Sequence, residues 1–416
     1  MHKVVITGIG VTVKNHQDPH TLFATLESGQ SLIADDHILK EMGIEGVASS
    51  RISDEEVIQL QSRYPSLDQT RVAPSGFAGF DALTKSVKDA DLNPDQLRQA
   101  GLYFGTNKIL PTVDLVHQLA QQKAASEKLP YQSPESVDYY NPQTVVADMV
   151  EYFEIGGPVT SCADACAAGA SSLISGFRQV SRGALDIALC GAADFGTQPV
   201  MQLLFKNIGA LNQAQLFNCA SEVSRPFDSN RAGVVLADGA AFVVLESEAS
   251  AKQRGASIYA YVCGAHRCTE SYKMTSTEPS GKFYAECMQA ALEKSCVSAE
   301  DIDHISAHGT STKSNDSAES RAIEQVFGSH TPVTSTKSAL GHSLAGSGAI
   351  EVVLSALSIK NQVMLPTLNF ESLGDDDAKV SVVKSATPKA INYLLSNSFG
   401  FGGVNTSIVL ARDSAC

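Results

Sequence analysis

One unusual pattern occurs twice in this chain. Ile187–Gly196 (IALCGAADFG) is followed by Gly239–Glu246 (GAAFVVLE), and Tyr393–Gly402 (YLLSNSFGFG) is followed by Asn405–Arg412 (NTSIVLAR). Each pair reads as an apolar strand, a small-residue turn and a second apolar strand. Runs apolar at successive positions, rather than alternating, belong to strands covered on both faces. A further strand restarts at Ala256–Gly264, after a charged helix at Ser247–Arg254. The spacing suggests two topologically similar halves, 1–250 and 255–412, and a short tail, 413–416. Strands at Val4–Gly10 and Gly101–Gly105 and helical patterns near Leu22–Leu26 and Pro111–Lys128 alternate, which makes the chain α/β.

Composition excludes several classes. The 416 residues are 43% hydrophobic and 18% charged, an ordinary globular balance. A net charge of −14 makes nucleic acid a poor partner. No apolar run approaches the ~20 residues that cross a bilayer, and the N-terminal apolar stretch is a short strand, not a leader. Nine cysteines, an odd number spread along the chain, read as reduced thiols of a soluble cytoplasmic protein. Gly8-Ile9-Gly10 follows a strand, but Val13 stands where a dinucleotide fingerprint needs its third glycine. Cys263, His266 and Cys268 are only three potential ligands, so no metal is expected.

Four motifs carry residues suited to chemistry. In Ser161-Cys162-Ala163-Asp164-Ala165-Cys166-Ala167-Ala168-Gly169, Cys166 opens a small-residue helix, where unpaired N–H groups and the macrodipole favour a thiolate. Cys162, four residues upstream, competes for the role of nucleophile. In Ala307-His308-Gly309-Thr310, a strand delivers His308 into a polar turn, and Asp316 with Glu319 has the spacing of a helix capping box. In Lys337-Ser338-Ala339-Leu340-Gly341-His342, a lysine and a histidine flank a loop before a Gly/Ala-rich helix, and Glu351 is the carboxylate suited to pair Lys337. In Phe399-Gly400-Phe401-Gly402-Gly403, glycines free the backbone to present N–H groups, and Phe401 is placed to act as a lid. A thiol, two imidazoles and an amine at strand–loop junctions suggest acyl chemistry through a thioester.

Taken in order, these motifs resemble the elongating β-ketoacyl-acyl carrier protein synthases. The resemblance spans nearly the whole chain, from Ile6-Thr7-Gly8-Ile9-Gly10 through Ser224-Arg225-Pro226-Phe227-Asp228 to the C-terminal glycine loop. It implies a thiolase fold, with two duplicated βαβαβαββ halves in an α/β/α/β/α sandwich. It also implies a dimer, either of two copies or with a chain-length-factor-like subunit. By the same resemblance Cys166 is the nucleophile, and His308 and His342 stabilise the enolate left when malonyl thioester loses CO2. The N–H groups of Cys166 and Phe401 then form an oxyanion hole, Lys337 and Glu351 orient the histidine loops, and Phe401 gates access between Gly400 and Gly402. No cofactor is implied beyond the phosphopantetheine arm of an acyl carrier protein. A thiolase proper needs a second cysteine in the C-terminal glycine loop, and this loop has none.

Two departures bear on substrate choice. Asp164 replaces the family's usual threonine two residues before the nucleophile. Thr106-Asn107-Lys108-Ile109-Leu110 replaces a glycine-rich run, which puts Lys108, or Ile109 after a one-residue slip, at the acyl-pocket floor. A lysine there suits a polar, unsaturated or aryl chain, or a tunnel completed by a partner, and so a specialised type II pathway. The housekeeping fatty-acid synthase and a non-catalytic subunit of the same fold are the alternatives. An acidic carrier protein also requires local positive charge at the mouth, with Lys123, Lys206 and Arg225 as candidates.

Overall fold

The computed structural model describes residues 2–107, 120–121, 138–375 and 377–413. Its strands are β1 Val4–Val13, β2 Ala34–Asp35, β3 Ala48–Ser50, β4 Gly101–Gly105, β5 Val159–Cys162, β6 Ile187–Phe195, β7 Leu236–Ser247 and β8 Ala260–Thr269. They continue with β9 His304–Ser306, β10 Pro332–Thr334, β11 Val363–Met364, β12 Ser381–Val382, β13 Thr387–Pro388, β14 Tyr393–Gly400 and β15 Val404–Ala411. The main sheet runs β12-β10-β9-β14-β15-β8-β1-β7-β6-β4-β5.

That order is a repeat. Outward from the centre, β1-β7-β6-β4-β5 matches β8-β15-β14-β9-β10 strand for strand. The directions match as well. The first two junctions of each set are antiparallel and the last two parallel. Helices Pro74–Asp89, Gln143–Phe153 and Ala168–Ser181 link the first set, and Lys282–Ser295, Lys313–Phe327 and Ser347–Asn361 link the second. Each set is therefore a βαβαβαββ unit, and both obey the rule that parallel neighbours need a helical crossover. The two units meet where Val4–Ile6 of β1 pairs with Ala260–Val262 of β8.

Both faces of the sheet are covered, as the apolar runs require. Every residue of β1 and β7 is buried. Helix Pro74–Asp89 lies so close to β1 that a Cβ on Gly10 would stand 2.0 Å from the Ala82 carbonyl oxygen. Ala168–Ser181 and Ser347–Asn361 form the middle layer, and their small residues let them cross backbone to backbone. A Cβ on Gly169 would come 2.7 Å from the Ala349 nitrogen, and one on Gly348 would come 2.8 Å from the Ala170 nitrogen.

Several local readings change. The charged stretch near residues 45–72 holds β3 and a helix, Asp54–Arg63, closed by a Ser53/Glu56 capping box. Most of the helix read at Pro111–Lys128 lies outside the described residues, as do Lys108, Ile109 and Lys123. Asp316 and Glu319 are not a capping box. The helix begins after Thr312, and both carboxylates are buried and turned towards loops. Cys162, Cys166, Cys190, Cys219, Cys268, Cys287 and Cys296 are free thiols, whereas Cys263 is disulfide-bonded, so the reading of every cysteine as reduced is corrected. Among the described residues, no helix is long and apolar enough to cross a membrane.

The crossing of the two middle helices predicts a sharp penalty for bulk. Gly169→Val should lower unfolding free energy in urea by about 3 kcal/mol, at the upper end of typical overpacking costs. Ser175→Val, half-buried on the same helix, serves as the control and should change it by less than about 1 kcal/mol.

Candidate active site

The nucleophile motif turns on a strained residue. After β5 the backbone reaches φ +48° at Ala165, then makes one 3-10 turn, Ala165–Ala167, before helix Ala168–Ser181. A left-handed alanine costs ~1–2 kcal/mol, and here it aims Cys166 out of the helix end. The second unit repeats the device, with φ +48° at Leu344, the turn Leu344–Gly346 and helix Ser347–Asn361. Ala345 therefore stands where Cys166 stands in the first unit. Sequence inspection does not show this match, because SCADACAAG and GHSLAGSGA share little beyond small size.

Cys166, His308 and His342 line one cavity of about 580 Å³, its mouth included, with Phe205, Phe399, Gly400, Phe401 and Gly403. The imidazoles of His308 and His342 meet edge to face, their ring centres 5.3 Å apart. Thr310, Thr312, Asn315 and Lys273 belong to the same lining. Cys162 is not part of this lining; its thiol faces the Ala168 carbonyl at 3.3 Å. Of the two thiols, Cys166 is the one on this cavity.

Each histidine is held by its neighbours. The Lys337 ammonium lies 3.4 Å from His308 Nδ1 and pairs closely with Glu351 Oε1. An ammonium can only donate, so His308 Nδ1 accepts and Nε2 carries the proton. His342 Nδ1 contacts Ser347 Oγ at 2.8 Å. A hydroxyl can donate or accept, so His342 Nε2 is able to hold a proton or receive one. Burial, with Lys337 adding to it, pushes the pKa values of both imidazoles well below the ordinary value, so the rings are neutral. Lys337 and Glu351 are both buried. Removing one partner of such a pair leaves an uncompensated charge, at ~3–5 kcal/mol.

Glu319 is a part the sequence reading missed. Its carboxylate accepts the His308 and Gly309 N–H groups, both at 2.8 Å, and fixes the turn that presents His308. Burial raises its pKa to about 7 against those donors. Asp316 accepts from Phe227, Thr310 and Ser311 and secures the same loop. The signal was available: two acids beside a polar loop share one helix face with Ala322 and Ile323, the apolar and buried face of that helix.

The C-terminal glycine loop is a hairpin turn between β14 and β15. The Gly402 N–H donates to the Met274 carbonyl at 2.7 Å, and Gly402 and Gly403 have φ +82° and +78°. Phe401, 36% exposed, stacks on Phe205 at 5.7 Å. A Cβ on Gly400 would lie 2.8 Å from the Asp164 carbonyl and 3.3 Å from the Cys166 nitrogen, so only glycine lets β14 end against the nucleophile turn. Asp164 does not line the cavity. Its carboxylate reaches across to Arg267 of β8 at 2.9 Å. Arg225 is buried and paired with Asp228 at 2.9 Å, so it cannot serve at the surface, whereas Lys206 is exposed beside Phe205.

Electrostatics corrects the expected thiolate. Burial pushes the Cys166 thiol up to about 12, against the lowering influence of Lys337 and of the Phe401 and Cys166 N–H groups, while Asp194 raises it further. The helix end does not outweigh desolvation, and the resting group is a thiol. Thiolate content then grows about tenfold per pH unit throughout the stable range. Iodoacetamide labelling of Cys166, followed by peptide mass spectrometry, should accelerate about tenfold from pH 7 to 8 and again from 8 to 9. A plateau below pH 8 would mean an acidic thiol.

Comparison with known proteins agrees with this geometry. The model of the β-ketoacyl synthase N-terminal domain matches residues 1–251, and that of the C-terminal domain matches residues 259–371. A putative polyketide β-ketoacyl synthase 1 from Streptomyces cyaneus is 29% identical, with 98% of this chain and 97% of the relative covered. A 3-oxoacyl-[acyl-carrier-protein] synthase 2 from Staphylococcus aureus (strain COL) is 31% identical over 80% of each chain. Among solved structures, a type II polyketide ketosynthase bound to the hexaketide, in complex with its acyl-carrier protein, superposes with TM-score 0.88 at 27% identity, covering 99% of this chain and 100% of that one. The ishigamide ketosynthase/chain length factor superposes with TM-score 0.86 at 29% identity, again over 99% and 100%. Its repeated thiolase fold and both domain matches place the chain in the β-ketoacyl synthase family, acyltransferases that form carbon–carbon bonds.

Proposed function

We propose that the chain is the catalytic ketosynthase of a type II system and elongates a Cys166-bound acyl chain with malonyl-acyl carrier protein. The observation that carries this reading is the convergence of Cys166, His308 and His342 on one cavity. A chain-length-factor subunit would have no use for a thiol there.

The steps follow from the groups present. The Cys166 thiol passes its proton to the neutral His342 Nε2, and its sulfur attacks the acyl thioester carbonyl. The N–H groups of Cys166 and Phe401, which favour negative charge on the sulfur, would receive the developing oxyanion. The carrier thiol leaves with the proton, and the acyl chain remains on Cys166. Malonyl thioester then occupies the same mouth. As its carboxylate departs as CO2, the bonding electrons pass to the thioester carbonyl, and His308 Nε2–H donates to that enolate oxygen, joined by His342 once it has shifted to the tautomer that carries its proton on Nε2 and accepts from Ser347 Oγ at Nδ1. The enolate carbon attacks the acyl-Cys166 carbonyl and expels the Cys166 thiolate, which takes up a proton from solvent to restore the resting thiol, and a 3-oxoacyl thioester two carbons longer results. Two neutral imidazoles suit this role, because each donates without first having to lose a charge.

Two features support assembly with a second chain. In the described residues β5 pairs only on its β4 side, and Val159 on that open edge is 41% exposed. An unpaired edge strand with an apolar residue invites another chain. The similarity to a ketosynthase/chain length factor supports a heterodimer, and the edge itself accommodates a second copy equally well. The same site in a fatty-acid elongating synthase is the second reading, favoured by the Staphylococcus relative. A polyketide or unsaturated-acyl pathway is the first, favoured by the Streptomyces relative and by the polar segment after β4.

The test is condensation in vitro. Incubated with acyl- and malonyl-carrier protein, the wild type should yield 3-oxoacyl-carrier protein by mass spectrometry. Cys166→Ala should lower the yield at least about a thousandfold, the usual scale for loss of a covalent nucleophile. Retained condensation in Cys166→Ala would refute the mechanism.

A further inference from the structure

Cys268 and Cys287 take no part in the steps above, yet the fold brings them together. Strand β8 turns Gly264, His266 and Cys268, at alternate positions, towards helix Lys282–Ser295. Contacts along that face fix the alignment. A Cβ on Gly264 would stand 2.6 Å from Ser295 Oγ. His266 Nδ1 accepts from the Lys294 ammonium at 2.6 Å. Cys287 Sγ lies 3.8 Å from the His266 carbonyl oxygen. Cys287 and Lys294 are about two helical turns apart and share one helix face. Strand and helix run in opposite directions, so a step from His266 to Cys268 leads back from Lys294 to Cys287. There the two thiols meet in hydrogen-bond contact.

The pair is asymmetric. Cys268 is half-buried at the end of its strand, whereas Cys287 is fully buried. The hydrogen bond from Cys287, with the Lys294 charge, holds the Cys268 pKa below its ordinary value against burial and the Glu286 and Glu270 carboxylates. The same hydrogen bond and burial push Cys287 well above it. Cys268 is thus the thiol an oxidant reaches first, and Cys287 is the neighbour placed to close on it.

Both ends of the pair lead to the cavity. Two residues past Cys268, the Glu270 N–H donates to the Gly403 carbonyl at 2.8 Å, and the Met274 carbonyl accepts from Gly402. One turn before Cys287, Tyr284 stacks on Phe399 with ring centres 3.7 Å apart. Glu270, Met274 and Tyr284 all line the cavity that holds Cys166.

We propose that Cys268 and Cys287 are a peroxide-reactive dithiol site, whose disulfide ties two walls of the cavity together and restrains access to Cys166. The Cys268 thiolate attacks one oxygen of hydrogen peroxide, and the O–O bond breaks. The departing hydroxide takes up the proton Cys268 gave to solvent and becomes water, leaving Cys268 as a sulfenic acid. The Cys287 sulfur then attacks the Cys268 sulfur, the S–O bond breaks, and the hydroxyl leaves with the Cys287 proton as a second water. Two thiols have given two electrons to one peroxide, and the sulfurs have closed to a bond of ~2 Å. An external dithiol reverses the step by thiol–disulfide exchange. None of this depends on the ketosynthase reading.

The experiment treats the full chain with hydrogen peroxide near neutral pH and maps tryptic peptides by mass spectrometry without reduction. Cleavage after Arg267, Lys273, Lys282 and Lys294 puts the two cysteines on separate fragments, 268–273 and 283–294. The wild type should give these fragments joined, two hydrogens lighter than their sum, and dithiothreitol should part them. Labelling of a buried thiol needs local opening, so Cys166 should then react with iodoacetamide at least about threefold more slowly than before treatment. Cys268→Ser and Cys287→Ser each prevent closure, and the first, at a half-buried position, guards against a core variant that fails to fold. After the same treatment both should keep Cys166 labelling within about twofold of the untreated protein. Cys287→Ser should also leave Cys268 as a sulfenic acid that dimedone captures. Fragments that stay unlinked in the treated wild type would overturn the dithiol site. Linked fragments with unchanged Cys166 labelling, or equal slowing in both serine variants, would overturn the restraint on the cavity. Neither carrier protein nor acyl substrate enters, so failure here and failure of the ketosynthase reading are told apart.

Discussion

The structure depends on two helices crossing with almost nothing between them. Gly169 and Gly348 let Ala168–Ser181 and Ser347–Asn361 meet at backbone distance, each at its N-terminal end. That contact puts the two strained turns, at Ala165 and Leu344, side by side. One turn holds Cys166. The other lies just past His342 and supplies Ser347 to orient it. A single larger side chain at the crossing would separate the thiol from the imidazole and uncover the middle layer of the sandwich.

The remaining polar groups hold loops to that frame. Glu319 and Asp316 turn backbone N–H groups inward so that His308 meets His342. Lys337 sets the His308 tautomer and is itself held by Glu351. These are buried charges, retained at an expense in desolvation that a merely structural core would avoid. Their effect is chemical: neutral imidazoles, a protonated thiol at rest and a cluster of donors in a cavity that Phe401, stacked on Phe205, also lines. On the proposed mechanism, catalysis would come from donors already in place when charge develops, not from an unusually acidic nucleophile.

Much of this was legible in the sequence. The twice-used strand–turn–strand pattern announced the repeat, because a strand covered on both faces must be apolar at every position. The order of strands could not be read, since β9 and β10 are three residues each and carry no periodicity of their own. Cys166, His308, His342 and Lys337 stood out because their residue types are conspicuous in small-residue loops. Glu319 did not, because its spacing from Asp316 reads as a capping box until the fold turns both acids towards the loops. The expected thiolate also failed for a physical reason: helix-end effects are local, but desolvation depends on everything packed around the sulfur. Asp164 pairs with Arg267, 103 positions away, a partner that spacing does not predict.

The central claim is that the fold presents one thiol, Cys166, for acyl transfer and screens its neighbour four residues upstream. Incubating the wild-type protein with acyl-carrier protein alone, then mapping the adduct by peptide mass spectrometry after cleavage between the two cysteines, tests this directly. The acyl group should be found on Cys166 and not on Cys162. An adduct on Cys162, or none on either thiol, would contradict the account.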